Sequence, residues 1–250
     1  RAPFPVDMAI NSETSGNHHE ISSRLTQGKL MYTNLTNAEV SSSWMKYDYS
    51  RGWFYTTNTT SQESFKHSHM FKRAKGFFDV VAYTGNGPSN HDVNHSLGVV
   101  PEMIIVKPRD AINHWICYHS ELGATKYLHL SLTSSQATND FAWGDTEPSA
   151  TTFRVDNGVN ASGSVNANNS TYIAYLFATL DGISKVGSYT GNGTNQNIAC
   201  GFSAGARFVL IKRTDSTGDW YLWDTERGIV TGNDPHLSLN TTAAEVTSDD

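Results

Sequence analysis

Tyr83-Thr84-Gly85-Asn86-Gly87 returns as Tyr189-Thr190-Gly191-Asn192-Gly193, 106 positions further along the chain. Working outward from that pentapeptide, other blocks keep nearly the same spacing. Met103-Ile104-Ile105-Val106-Lys107 answers to Phe208-Val209-Leu210-Ile211-Lys212, and His114-Trp115-Ile116-Cys117-Tyr118 answers to Asp219-Trp220-Tyr221-Leu222-Trp223. Glu121 and Gly123 match Glu226 and Gly228, and His129-Leu130-Ser131-Leu132 matches His236-Leu237-Ser238-Leu239. Chance does not hold so many blocks in one register. A period of this length exceeds that of solenoid units and fits one compact domain, so each repeat is expected to be a domain.

Residues 1–75 read as the back part of a more divergent copy. Lys29 to Thr36 aligns with Lys126 to Thr133 at an offset of 97, while Phe71 and Gly76 align with Phe177 and Gly182 at 106, so a nine-residue deletion lies between. Residues 76–181 form the one complete unit. Its runs rich in Val, Ile, Tyr, Phe and Trp predict strands at Phe77 to Tyr83, Met103 to Lys107, Trp115 to His119, Tyr127 to Leu132, Thr152 to Val155 and Thr171 to Phe177. No stretch carries helical periodicity with caps. Gly16, Asn113 and Gly218 occupy one turn position in the three copies, which predicts a shared positive-φ turn. Residues 182–250 repeat the front part and stop before any counterpart of Thr152 to Val155 or Thr171 to Phe177. A sandwich without those strands exposes edges. The chain is therefore expected to be a segment of a longer polypeptide, or to have residues 1–75 close the open unit by circular permutation. The fold class expected is all-β, with tandem antiparallel β-sandwich repeats of about 106 residues.

The composition narrows function by exclusion. A formal net charge of −6 over 250 residues disfavours nucleic acid, whose phosphates require a basic face. Lys72, Arg73 and Lys75 are the one local basic cluster, read as a solvated strand end. No apolar run approaches the ~20 residues of a membrane helix. Cys117 and Cys200 sit at non-equivalent places in the repeat, so they are expected to be free, buried or half-buried thiols.

Reactive patterns mostly dissolve on inspection. Gly201-Phe202-Ser203-Ala204-Gly205 matches a nucleophile elbow, but a strand rather than a helix is expected after it. The two Gly-Asn-Gly turns lack the third glycine of a dinucleotide loop. His67-Ser68-His69 puts two imidazoles on one strand face, a spacing able to bind metal, yet its counterpart Ile173-Ala174-Tyr175 has no ligand. Paired carboxylates can serve glycoside hydrolysis, but Glu121 and Glu226 recur in separate units, and the sequence gives neither a second recurring carboxylate at a known distance; Asp110 and Asp215 recur in a turn, so a structural salt bridge or turn contact is expected. Trp115 and Trp220 read as core residues. Trp44, Trp53, Phe54 and Tyr55 are the candidate ligand-binding aromatics. No catalytic residue, cofactor or metal is expected. The sequons at Asn34 and Asn240 are assigned no glycan.

Several blocks carry a family resemblance: Gly76 to Gly87 (GFFDVVAYTGNG), Leu97 to Met103 (LGVVPEM), Tyr172 to Ala178 (YIAYLFA) and Gly205 to Arg213 (GARFVLIKR). They closely resemble a repeated domain of uncharacterised function in large structural proteins of marine tailed bacteriophages, including cyanophages. The first copy departs from the pattern, with His18 where the others carry Trp115 and Trp220. The resemblance implies a non-enzymatic virion appendage, a tail fibre or capsid fibre supporting host attachment. It also implies a homotrimer contacting itself and other virion proteins, located on the extracellular particle. Two rivals remain: a carbohydrate-binding adhesin module contacting host surface glycans, and a capsule-degrading enzyme. The last would need carboxylates converging in one cleft, with a displaced pKa.

Overall fold

The β-branched and aromatic runs fold as short antiparallel strands. The computed structural model describes residues 2–42, 45–55, 65–87, 90–138, 142–157, 165–229 and 234–247. The first repeat supplies β1 (Met8–Glu13), β2 (Glu20–Ser23), a single helical turn at Arg24–Thr26, β3 (Lys29–Tyr32), β4 (Val40–Ser41), the small hairpin β5 (Met45–Lys46) and β6 (Phe54–Tyr55), and β7 (Phe65–Phe71). The middle repeat supplies β8 (Phe78–Thr84), β9 (His91–Asn94), β10 (Met103–Pro108), β11 (Ile116–His119), β12 (Lys126–His129), β13 (Ala137–Thr138), β14 (Thr152–Val155) and β15 (Thr171–Phe177). The last supplies β16 (Phe208–Lys212), β17 (Trp220–Asp224) and β18 (Leu237–Ser238). The chain is all-β, and the six strands expected in the middle repeat are present within two residues or so of their expected starts. The short β9 and β13 were not expected; neither His91-Asp92-Val93-Asn94 nor a two-residue strand has a run long enough to signal one.

Three principal sheets repeat one plan. Their strand orders are β4-β3-β2-β1-β7, β13-β12-β11-β10-β15-β8 and β16-β17-β18. Register confirms the equivalence: Met8 faces Phe71 across β1 and β7 as Met103 faces Phe177 across β10 and β15. Ile10 pairs Ile21, Ile105 pairs Cys117 and Leu210 pairs Leu222. The ladder adjusts two sequence matches. Because Ile21 stands at the Cys117 position, His19 rather than His18 occupies the place of Trp115. Leu128 and Leu237 are likewise equivalent, since they pair Cys117 and Leu222, so the His-Leu-Ser-Leu blocks are displaced by two residues in space. A shift of two leaves every side chain on its original face, which is why the sequence match looked sound.

The inward faces of all three sheets bury into one cluster: Met8, Ile10, Ile21 and Met31 from the first, Ile105, Trp115, Cys117 and Leu128 from the second, Trp220, Leu222 and Leu237 from the third. Phe71, Phe77, Phe177 and Phe208 pack against one side of it, with Phe71 meeting Phe177 and Phe208 edge-on at 5.8 and 5.6 Å. The outer face of the middle sheet has a second core, formed against the β14–β9 pair by Ile104, Val106, Tyr118, Trp143, Phe153 and Tyr172 among others. That sheet is buried on both faces, so its strands read as continuous apolar runs rather than alternation.

The seams between sheets recur too. Trp115 Nε1 donates to the Tyr32 carbonyl at 2.9 Å, and Trp220 Nε1 to the His129 carbonyl at 2.8 Å. Lys107 Nζ donates to Thr36 O at 3.1 Å, and Lys212 Nζ to Thr133 O at 2.9 Å. The Asn113 and Gly218 amides donate to the same two threonine carbonyls, both at 2.9 Å. The third seam joins the first sheet to the last, through Thr33 Oγ1 to Leu239 O, Glu245 N to Thr14 O and His69 to Asp224. The three seams close a ring. Of the shared turn position, only Gly16 has positive φ, at 91°. The expectation of one positive-φ turn in all copies is thus corrected: what the position retains is contact with the neighbouring sheet, and a Cβ on Gly16 would lie 3.0 Å from Thr242 O. Nor do residues 1–75 complete the last sheet by permutation, since β7 pairs β1 and not β16.

Candidate binding surface

Of the four aromatic candidates only Trp53, on the outer side of the first sheet, can be followed as a side chain. Trp44 lies outside the described residues. Phe54 and Tyr55 form β6, paired with Lys46 and Met45 of β5, and their side chains lie outside the described set. Trp53 is half-buried and stacks on Tyr47, with ring centroids 6.1 Å apart and planes 15° from parallel. It packs against a small apolar cluster of Ala2, Val6, Ala9 and Tyr47. Tyr47 is anchored by its hydroxyl, 2.6 Å from Ser22 Oγ, and burial pushes that phenol well above its ordinary value. Trp53 is therefore in large part a packing residue of this layer, with Tyr49 nearby in sequence 44% exposed.

Beside that stack the sheet carries a feature the sequence reading missed. Glu20, Asn11 and Ser68 are direct cross-strand neighbours on β2, β1 and β7, since Asn11 pairs Glu20 on one side and Ser68 on the other. Paired residues on one face have Cβ atoms about 5 Å apart, so the three polar groups form a row. Asn11 is fully buried and Glu20 nearly so. Both amide atoms of Asn11, Glu20 Oε2 and Ser68 Oγ lack a hydrogen-bond partner among the described residues. Burial pushes the Glu20 carboxyl up to about 7, and the Glu13 carboxylate adds to the rise. At the equivalent positions the middle sheet carries Val106, Ile116 and Ala174, all within its outer core. The signal available in the sequence was that substitution of three polar residues for three apolar ones, visible only once the register is known. Chemically, the row offers hydrogen-bond acceptors and donors to small polar groups or water.

A second polar group closes the seam between first and last sheets. His69 Nε2 lies 2.9 Å from Asp224 Oδ2, and Arg227 Nε lies 2.7 Å from the same oxygen. Arg227 also faces Glu245 at 3.6 Å. Burial pushes Asp224 up, but hydrogen bonds from His69 and Arg227 outweigh it and hold the carboxyl well below its ordinary range. His19, bonded through Nδ1 to Ser12 Oγ at 3.0 Å, is pulled down to about 4 by burial, against a smaller upward pull from the Ser238 backbone. His67 and His69 thus stand at an inter-sheet contact, and no cluster of metal-ligating side chains occurs among the described residues.

The remaining reactive residues are dispersed. Ser203 lies in an irregular, exposed stretch followed by strand β16. Glu121 accepts a long hydrogen bond from Ser188, Asp110 binds Thr171, and Asp215 pairs with Arg213. Trp115 and Trp220 are core residues as expected, with the seam hydrogen bond as an added role. Both cysteines are free, Cys117 buried and Cys200 half-buried. Burial pushes the Cys117 thiol far up, which keeps it unreactive. Of the basic cluster, Arg73 pairs with Asp79 at 2.6 Å and Lys72 and Lys75 face solvent. No helix of the described residues is long and apolar enough to cross a membrane.

Comparison with curated proteins and with solved structures returned no match. A family model, described as a domain of unknown function, matches from the Trp53 hairpin through the middle and last sheets. On that match, over residues 53–250, the chain belongs to the family of the domain of unknown function DUF7483.

Proposed function

We propose that this chain is a non-enzymatic structural segment of a bacteriophage virion appendage, a tail or capsid fibre that supports host attachment. Its building plan is tandem sandwich repeats of about 106 residues. The observation that carries the reading is how the three repeats use their polar groups. The buried lysine, the indole N–H groups and the His69–Asp224–Arg227 cluster all serve seams between sheets. Sheets joined on one core and pinned at three seams resist shear, as a load-carrying module must. The resemblance of several sequence blocks to structural proteins of marine tailed phages supplies the virion context. Assembly as a homotrimer with other virion proteins belongs to the same proposal, since several copies per particle turn weak contacts into firm attachment. The test is mass spectrometry of purified particles of a phage encoding the chain, with antibody-gold labelling in electron micrographs. Label on a projecting appendage supports the reading; absence of the chain from particles refutes it.

The half-buried Trp53 and exposed Tyr49 favour a second reading, direct contact of this segment with host surface glycans. Binding on a glycan array that is lost in Trp53→Ala while the near-ultraviolet circular dichroism is retained would support that reading. An array without signal removes it.

A further inference from the structure

The three seams of the ring occupy equivalent places but are closed by different chemistry. At two of them Trp115 and Trp220 reach the Tyr32 and His129 carbonyls, and Lys107 and Lys212 reach those of Thr36 and Thr133. At the seam between the first and last sheets, His19 stands in the tryptophan place and Ser12 in the lysine place, because Ile10 pairs Ile21 as Ile105 pairs Cys117. Ser238 supplies the carbonyl equivalent to those of Tyr32 and His129, since Met31, Leu128 and Leu237 hold matching places in their ladders. His19 Nδ1 lies 3.0 Å from Ser12 Oγ. The Ser238 backbone acts on the ring from longer range, while Nε2 completes no close hydrogen bond among the described residues.

His19 is fully buried, and the charged groups that act on it are Arg227 of the last repeat and His18 and His69 of the first. Each opposes a second positive charge. Beside it, His67 faces Ser12 across β7 and β1. Burial pulls His67 below its ordinary value; Asp224 and Glu245 favour its charged form, and Arg227 and His69 oppose it. His69 differs from both in having a carboxylate of its own, Asp224 Oδ2 at 2.9 Å, which Arg227 Nε also binds. Two imidazoles are therefore held neutral where the other seams carry indoles and lysines. The contacts they stand among are Thr33 Oγ1 to Leu239 O and Glu245 N to Thr14 O.

We propose that this seam is an acid-opened latch, in which proton uptake by His19 and His67 parts the first sheet from the last while the other two seams stay closed. A chain opened at the seam takes up protons at the ordinary histidine value of 6.5, whereas the closed seam holds His19 neutral down to about 4. Seam stability is thus full above the ordinary value and is lost progressively as pH falls toward the folded one. From about pH 7 to about pH 5, His19 alone raises the opening constant about 20-fold, and His67 adds in the same direction. Lys107 keeps its charge throughout this window, since burial brings it down only to about 8. His114, next to Trp115, bonds Ser131 of its own repeat and lies against His129. Glu20, on the opposite face of β2, works the other way, because its carboxyl is raised to about 7 and opposes folding once ionised. Global stability mixes these effects, so the latch is read locally. It does not depend on the virion reading.

Three backbone amides each cross one seam: Asn113 to Thr36 O, Gly218 to Thr133 O and Glu245 to Thr14 O. Amide hydrogen exchange of the full chain, followed by nuclear magnetic resonance and normalised to the unstructured rate at each pH, compares all three. Protection of Glu245 should fall by about 20-fold or more between about pH 7 and about pH 5, while that of Asn113 and Gly218 changes by less than ~3-fold. His19→Gln, whose amide does not titrate, should remove most of the Glu245 loss, and adding His67→Gln should remove the remainder. In the unaltered protein the His19 ring protons should report a titration well below 6.5. Any of four results overturns the proposal: unchanged protection of Glu245, a parallel loss at all three amides, a loss that persists in the folded double variant, or a His19 ring that titrates at its ordinary value.

Discussion

Lys107 offers the sharpest test of how the sheets are joined. Its side chain is fully buried, and Nζ donates to Thr36 O at 3.1 Å and Pro108 O at 3.2 Å, without a carboxylate partner among the described residues. Burial pulls its ammonium down from 10.5 to about 8. A lysine whose folded pKa lies below its unfolded value binds a proton more weakly in the fold, so charging it opposes folding. The full penalty is present below the folded pKa and is relieved as pH rises from there toward the unfolded value. Linkage over that interval makes the fold about 2 kcal/mol more stable at about pH 9.5 than at about pH 7.5. In Lys107→Met the charge is gone and the apolar stem kept, while Thr36 O still accepts from the Asn113 amide at 2.9 Å. Urea unfolding of both proteins at several pH values in this window, followed by tryptophan fluorescence, reads the difference directly. The wild type should gain relative to the variant by about 2 kcal/mol across the window, with the two closest at the alkaline end. Parallel pH profiles would refute the reasoning, because they would mean that the ammonium is not desolvated at the seam.

Three further outcomes are expected. Gly85→Ala should destabilise by ~3 kcal/mol in chemical denaturation, because its Cβ would overlap the Ala167 carbonyl, whereas Gly191→Ala, with open space around it, should stay within ~0.5 kcal/mol. Glu20→Gln should raise stability at about pH 8 by a few kcal/mol and change little at about pH 4, since a carboxyl whose pKa is raised to about 7 opposes folding once it ionises. Trp220→Phe should cost ~1–3 kcal/mol and leave the His129 carbonyl without its indole donor, with increased exchange of β12 amides as the second readout.

The strand inventory and the repeat were legible in the chain because both depend on local pattern. Thr171 to Phe177 announces a strand whatever surrounds it, and the Tyr83 pentapeptide announces a turn through its glycines. The core tryptophans were legible for a similar reason, sitting mid-block between apolar neighbours. The candidate surface was legible only in part. Trp53 was flagged by type, but its stacking on Tyr47 and its place in a small core are set by contacts the chain order does not encode. The Glu20–Asn11–Ser68 row needed the register of three strands from distant stretches before the three could be seen as neighbours.

By itself, then, the sequence determined that the chain is all-β and where most strands lie, since alternation and turn chemistry are properties of neighbouring residues. Tertiary structure alone decided that the units share one core, which of His18 and His19 stands at the tryptophan position, and that Lys107 and Lys212 clamp adjacent sheets. Those outcomes depend on long-range pairing. A two-residue slip preserves the face of every side chain, so local pattern cannot choose between registers, and only the closure of the ring selects one.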